Sequence, residues 1–278
     1  MRNFGSTSDF ATFVSRIYLY DYSSAENLKL SEIADYLKEK LGPISVDLRG
    51  QLIVASSKRS VESLAKELAR AKIRNLAEPH QEFDPLRGEI EFEKKLLNNP
   101  RSKLVGILYD GVKLQDIFWE MIPEHERDLS DVHIVFTNRL FGTWDENDCR
   151  YHARASIYGF PSIISTTGIV EAPAKPKEFY LEQQLTGLPT EILKEKFRGR
   201  FIDHDDERLT EIMKGYVMQA IFYFIASSPF CDDRRCCLFN AHWQEEVLEA
   251  QLKQPEFCKR HEKMLEEMRK KFNSGSST

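Results

Sequence analysis

The chain has 278 residues, of which 41% are hydrophobic, 11% aromatic and 30% charged, which excludes a disordered, collagen-like or low-complexity polypeptide and allows a full-size core without a disulfide framework. With 39 basic against 44 acidic side chains, a net charge of −5, it carries no global positive field toward phosphate backbones or anionic lipid. The N-terminus lacks the basic start and apolar stretch of a secretory signal, and the longest greasy run, Tyr216 to Ala226, covers 11 residues where a bilayer span needs roughly 20; the expectation is a cytoplasmic protein with no membrane segment.

Along the chain, Val14 to Tyr20 reads as a strand, and Ser31 offers an N-cap to a helix whose Ile33, Ala34, Leu37 and Leu41 share a face, ended by Gly42 before Pro43. Strands follow at Ile44 to Leu48 and Gln51 to Ala55, and Ser60 opens a helix with Val61, Leu64, Ala65 and Leu68 on one side. The polar stretch Glu78 to Gly88 marks a surface loop. Beyond it come a short charged helix, a strand at Leu104 to Tyr109, a helix at Val112 to Ile122, and three β-rich runs at Val132 to Thr137, Arg154 to Tyr158 and Ser162 to Val170. Glu171 to Lys177, with two prolines, is a loop. The remainder is helical. Leu209, Ile212, Met213, Tyr216, Val217, Ala220, Ile221 and Phe224 recur at helical spacing, and apolar residues nearly encircle the segment from Tyr216 on, which places that helix in the core. The element order predicts an α+β fold, a mixed sheet with helices.

Four of the five cysteines, Cys231, Cys236, Cys237 and Cys258, fall within 28 residues of one another, and His261 follows Cys258 by three. The pattern is C-x4-C, a spacer of 21 residues, then C-x2-H. Zinc takes four thiolate or imidazole ligands in a tetrahedron, usually as two short-range pairs from separate segments, and this spacing supplies both pairs. Cys258 and His261 project from one face of a terminal helix, and Leu265, Met268 and Phe272 continue that face. By spacing alone Cys237 serves as well as Cys236, and His242 is a further alternative ligand. Cys149 stands apart as an ordinary thiol. Four protein ligands close the coordination shell, so the ion read here is one structural zinc.

The segment Cys231, Cys236, Leu238, spacer, Cys258, His261 resembles the C-terminal signature of the archaemetzincin zinc peptidases, H-E-x-x-H-x-x-G-x-x-H-C-x4-C-x-M followed by C-x2-C. The resemblance implies a zincin-like mixed sheet, a core helix bearing the catalytic zinc motif, and a second, structural zinc on the cysteines; it selects Cys236 over Cys237 and sets the ligands as Cys231, Cys236, Cys258 and His261. It is specific over Leu209 to Leu265. Aligning on Cys231 puts Ala220, Phe224 and Phe230 at the three catalytic histidines, Ile221 at the glutamate, Ser227 at the glycine and Leu238 at the methionine. None of the substituted side chains binds zinc or takes a proton from zinc-bound water. The resemblance therefore implies a pseudo-metallopeptidase, organised as 1–230, a zincin-like sheet and core helix; 231–272, a zinc-stapled helical subdomain packed on it; and a disordered tail, 273–278. The expected partner is a peptide or protein, taken by β-augmentation on the Ser162 to Val170 run.

A rival reading is a working metallohydrolase with a site rebuilt near His204 from Asp203, Asp205, Asp206 and Glu207, joined by His152 or His133. Carboxylates before a helix also simply satisfy free N–H groups and the dipole. The terminal helix mixes its lysines and arginines with Glu262, Glu266 and Glu267, which speaks for a solvated face and against nucleic acid.

Overall fold

The computed structural model describes residues 14–50, 60–99, 106–253 and 256–275, without the side chains of 271–275. Among the described residues, eight strands form two sheets. In the larger, β1 (Arg16–Tyr22) lies between β2 (Ser45–Arg49) and β4 (Asp131–Thr137), both parallel to it; β8 (Ser162–Ser165) is parallel to β4, and β7 (Ser156–Ile157) closes the edge antiparallel to β8. The smaller sheet pairs β3 (Leu108–Asp110) parallel with β5 (Leu140–Asp145), which forms an antiparallel ladder with β6 (Arg150–Arg154).

Alternation along β1 and β4 buries both faces of the larger sheet. Ile17, Leu19, Ile134 and Phe136 join the core with α1 (Leu30–Leu41), α8 (Leu209–Ala226) and α10 (Lys259–Gly275). Tyr18, Tyr20 and Val135 face the opposite core with α2 (Val61–Arg70) and α4 (Gly111–Met121). The remaining helices are α3 (Arg87–Asn98), α5 (Thr166–Glu171), α6 (Lys177–Thr186), α7 (Thr190–Lys196) and α9 (Gln244–Leu252). This is a mixed α/β architecture. Among the described residues no helix is long and apolar enough to cross a membrane.

Several expectations shift. Ser31 lies inside α1, whose N-cap is Lys29, whereas Ser60 does cap α2, its hydroxyl accepting the Ser63 N–H. Gln51 to Ala55 lies outside the described residues, as do the first residues of the Leu104 to Tyr109 run. The β5–β6 hairpin has no counterpart among the expected elements, and Arg154 to Tyr158 divides between two sheets. Ser162 to Val170 is a strand only to Ser165, because the Ser165 hydroxyl caps α5 by accepting the Gly168 N–H at 2.8 Å. Gly168 is required there: a Cβ would stand 2.5 Å from the Arg154 carbonyl oxygen. Lys72, Tyr109 and Arg139 converge on the fully buried Glu93, with Lys72 Nζ at 2.8 Å and Arg139 Nη1 at 2.7 Å, a buried ion-paired cluster that no local pattern announces.

Candidate metal centre and adjoining cleft

The apolar helix α8 ends at Ser227, which takes φ 49° and donates its N–H to the Tyr223 carbonyl. That left-handed residue turns the chain out of the core at the position aligned above with the motif glycine. Cys231 then donates its N–H to the Leu238 carbonyl, and Cys236 donates to Asp233, folding 231–239 into a tight knuckle. The second half arrives through Glu256, whose carboxylate accepts from the Tyr36 hydroxyl and pairs with Lys40 at 2.8 Å, so α1 anchors the approach to Cys258. The Cys237 N–H donates to the Glu256 carbonyl and clamps the two halves together.

The four residues Cys231, Cys236, Cys258 and His261 meet with all their donor atoms within 4.8 Å of one another. Cys231 Sγ lies 3.8 Å from Cys258 Sγ, and His261 Nδ1 lies 3.5 Å from Cys236 Sγ and 3.2 Å from Cys258 Sγ. A tetrahedral zinc with bonds of about 2.3 Å to sulfur and about 2.0 Å to nitrogen spaces its sulfurs about 3.8 Å apart and sulfur from nitrogen about 3.5 Å. The donor set thus fits such an ion. His261 is buried, its ring edge-on to Phe222 at 5.1 Å, and Arg260 Nη2 stands 3.0 Å from its Nε2. Hydrogen bonding to the Cys237 thiol, joined by His261, outweighs burial and holds the Cys236 thiol down at about 3; burial pushes Cys231 up to about 12.

The alternatives fall elsewhere. The Cys237 side chain is buried outside the group, its thiol raised by burial, and its carbonyl accepts from Gln219 and Gln251. His242 precedes the α9 N-cap, Trp243, and its N–H donates to Glu246. The residues of the rival site are not brought together. His133 is stacked on Tyr18 and bonded to Tyr20 and Glu126, His152 pairs with Asp148, and His204 faces Glu171 at 3.6 Å. Asp203 accepts from Lys194 and Asp206 from Arg208. Among the described residues, Cys231, Cys236, Cys258 and His261 form the one His, Cys, Asp or Glu group of three or more that could hold a metal.

On α8, Ala220 and Ile221 are buried, and Phe224 packs on Phe160 with ring centroids 5.5 Å apart. Beside this helix opens a cleft of about 490 Å³, bounded by edge strand β7, by Tyr158, Tyr216, Gln219 and Tyr223, and by Phe230. Gln219 fixes its floor: it accepts from the Tyr158 hydroxyl and donates to the Cys237 and Phe239 carbonyls. The sequence missed the cleft because Arg154 and Tyr158 look like ordinary strand residues until β7 forms the sheet edge.

The family described as "Probable metallopeptidase family (DUF6775)" matches residues 13–268, and the chain belongs to it. No curated protein matches the chain. Among solved structures, it is similar to the crystal structure of archaemetzincin from Methanopyrus kandleri, at 15% identity over 92% of this chain and 96% of that one, with a TM-score of 0.44.

Proposed function

We propose that this member of the probable metallopeptidase family is a non-catalytic protein, stapled by one structural zinc on Cys231, Cys236, Cys258 and His261, whose cleft beside α8 binds a peptide or protein partner without cleaving it. The observation that carries the reading is the pairing of a closed four-donor set with a core helix whose Ala220, Ile221 and Phe224 present only carbon where hydrolysis needs donors and a base. Zinc bound there would fix the 231–239 knuckle to the start of α10 as a cross-link. An ion on Nδ1 leaves the ring proton on Nε2, so loading requires the Arg260 guanidinium, itself a donor, to turn aside.

The proposed docking edge is not the expected one. β8 is flanked by β4 and β7, so the Ser162 to Val170 run has no free edge to offer, and β7 takes that place. Elemental analysis of the purified protein tests the reading together with a peptide-hydrolysis assay. One zinc per chain and no cleavage are expected; a second, chelator-labile zinc accompanied by cleavage would establish a working hydrolase instead.

A further inference from the structure

The geometry points to a ligand class for the cleft: a peptide segment that presents a carboxylate beside an apolar or aromatic side chain, with Arg154 receiving the carboxylate. This rests on the reading of the cleft as a peptide site and adds what enters it. Arg154 is half-buried in the lining, and its Nε donates to Thr143 Oγ1 at 2.9 Å, which fixes the root of the guanidinium. Among the described residues no carboxylate pairs with it, whereas Arg49, Arg139 and Arg208 are each matched, to Glu126, Glu93 and Asp206. The rest of the lining adds His242 and no aspartate or glutamate, so any charge in the cleft is positive.

A partly desolvated guanidinium lacking an acidic neighbour is electrostatically incomplete, and its planar fork matches a carboxylate in two-point geometry. The aromatic part of the lining supplies the apolar half of the recognition. Tyr223 and Phe230 stand 6.2 and 5.8 Å from the Tyr158 ring, and the Tyr158 hydroxyl is held by Ser156 and Gln219, so this wall is set before a ligand arrives. The volume lies within the roughly 300–1,000 Å³ of small-ligand sites and admits side chains of a segment, not a folded domain.

Isothermal titration calorimetry of the full-length protein tests this with three acetylated pentapeptides, each with a central phenylalanine. One ends in glutamate amide, one in glutamine amide, and one in alanine with a free terminal carboxylate. At least one carboxylate peptide is expected to bind about tenfold or more tightly than the glutamine amide, and which one does separates a side-chain from a chain-end carboxylate. Arg154→Gln is expected to erase that preference and Arg154→Lys to retain part of it, both with the wild-type melting temperature. Equal affinity for all three peptides, lost in Phe230→Ala, overturns the carboxylate class and leaves the cleft reading standing. A preference that survives Arg154→Gln overturns the assignment of Arg154, and absence of binding by every peptide overturns both readings.

Discussion

Cys258 takes part in two of the sulfur contacts of the group, 3.8 Å to Cys231 across the two segments and 3.2 Å to the His261 ring within its own. Replacing it with serine leaves three donors. Cys258→Ser is expected to abolish stoichiometric zinc and to destabilise by about 4 kcal/mol or more, lowering Tm by roughly 10 °C, read by metal analysis and thermal melts. His133 makes a pH prediction. Burial holds its imidazole below the ordinary 6.5, overriding the Glu126 carbonyl and carboxylate that favour the charged ring, with Arg49 adding to the depression. The folded state binds fewer protons at this ring than the unfolded chain, so its contribution is complete above pH 6.5 and is lost as pH falls through the depressed value. Urea unfolding between pH 7.5 and 5 is expected to show stability falling with acidification, and His133→Gln to flatten that slope. At this scale the cysteine group was legible because ligand spacing is a local property of the chain. Glu93 on α3 meets Arg139, between β4 and β5, across 46 residues of chain, and Arg154 lacks a carboxylate partner among the described residues only because of what the fold packs around it; spacing encodes neither.

Between elements, α8 packs closely against α9 at Gly215. A Cβ on Gly215 would stand 1.6 Å from Gln251 Oε1, and that same amide donates to the Cys237 carbonyl at 2.8 Å. Alanine ordinarily favours a helix over glycine by about 1 kcal/mol, yet Gly215→Ala is expected to destabilise by about 1–3 kcal/mol through overpacking. Gln251→Ala should restore much of that loss when combined with it, a coupling that a double-mutant cycle in urea measures directly. Helix positions were readable where apolar residues were dense at helical spacing, as in α8, and where a cap was unambiguous, as at Ser60. The run from Ser162 misled because Ile163, Ile164, Thr166, Thr167, Ile169 and Val170 all suit strands, while one serine hydroxyl and a clearance-limited glycine turn the second half into helix.

Across the whole molecule, α10 contributes Leu265 and Met268 to the main core, so its docking has an apolar part that does not need an ion. Chelation is therefore expected to loosen the protein locally: hydrogen exchange should rise over 231–253 and 256–275 while β1 and β4 keep their protection, and loss of protection throughout would show that the ion supports the entire fold. The fold class and the core helix could be anticipated from element order and periodicity, but which strand stands at the rim could not, since lateral neighbours are set by topology and not by any one segment. Phe230 forms a wall of the cleft, and the next residue in the chain is Cys231. If the proposed zinc and peptide sites both fill, their two equilibria meet at one peptide bond. Any free energy that zinc then added to peptide affinity, the peptide would return to zinc affinity in equal measure, and zinc supply would act as a rheostat on occupancy of the cleft.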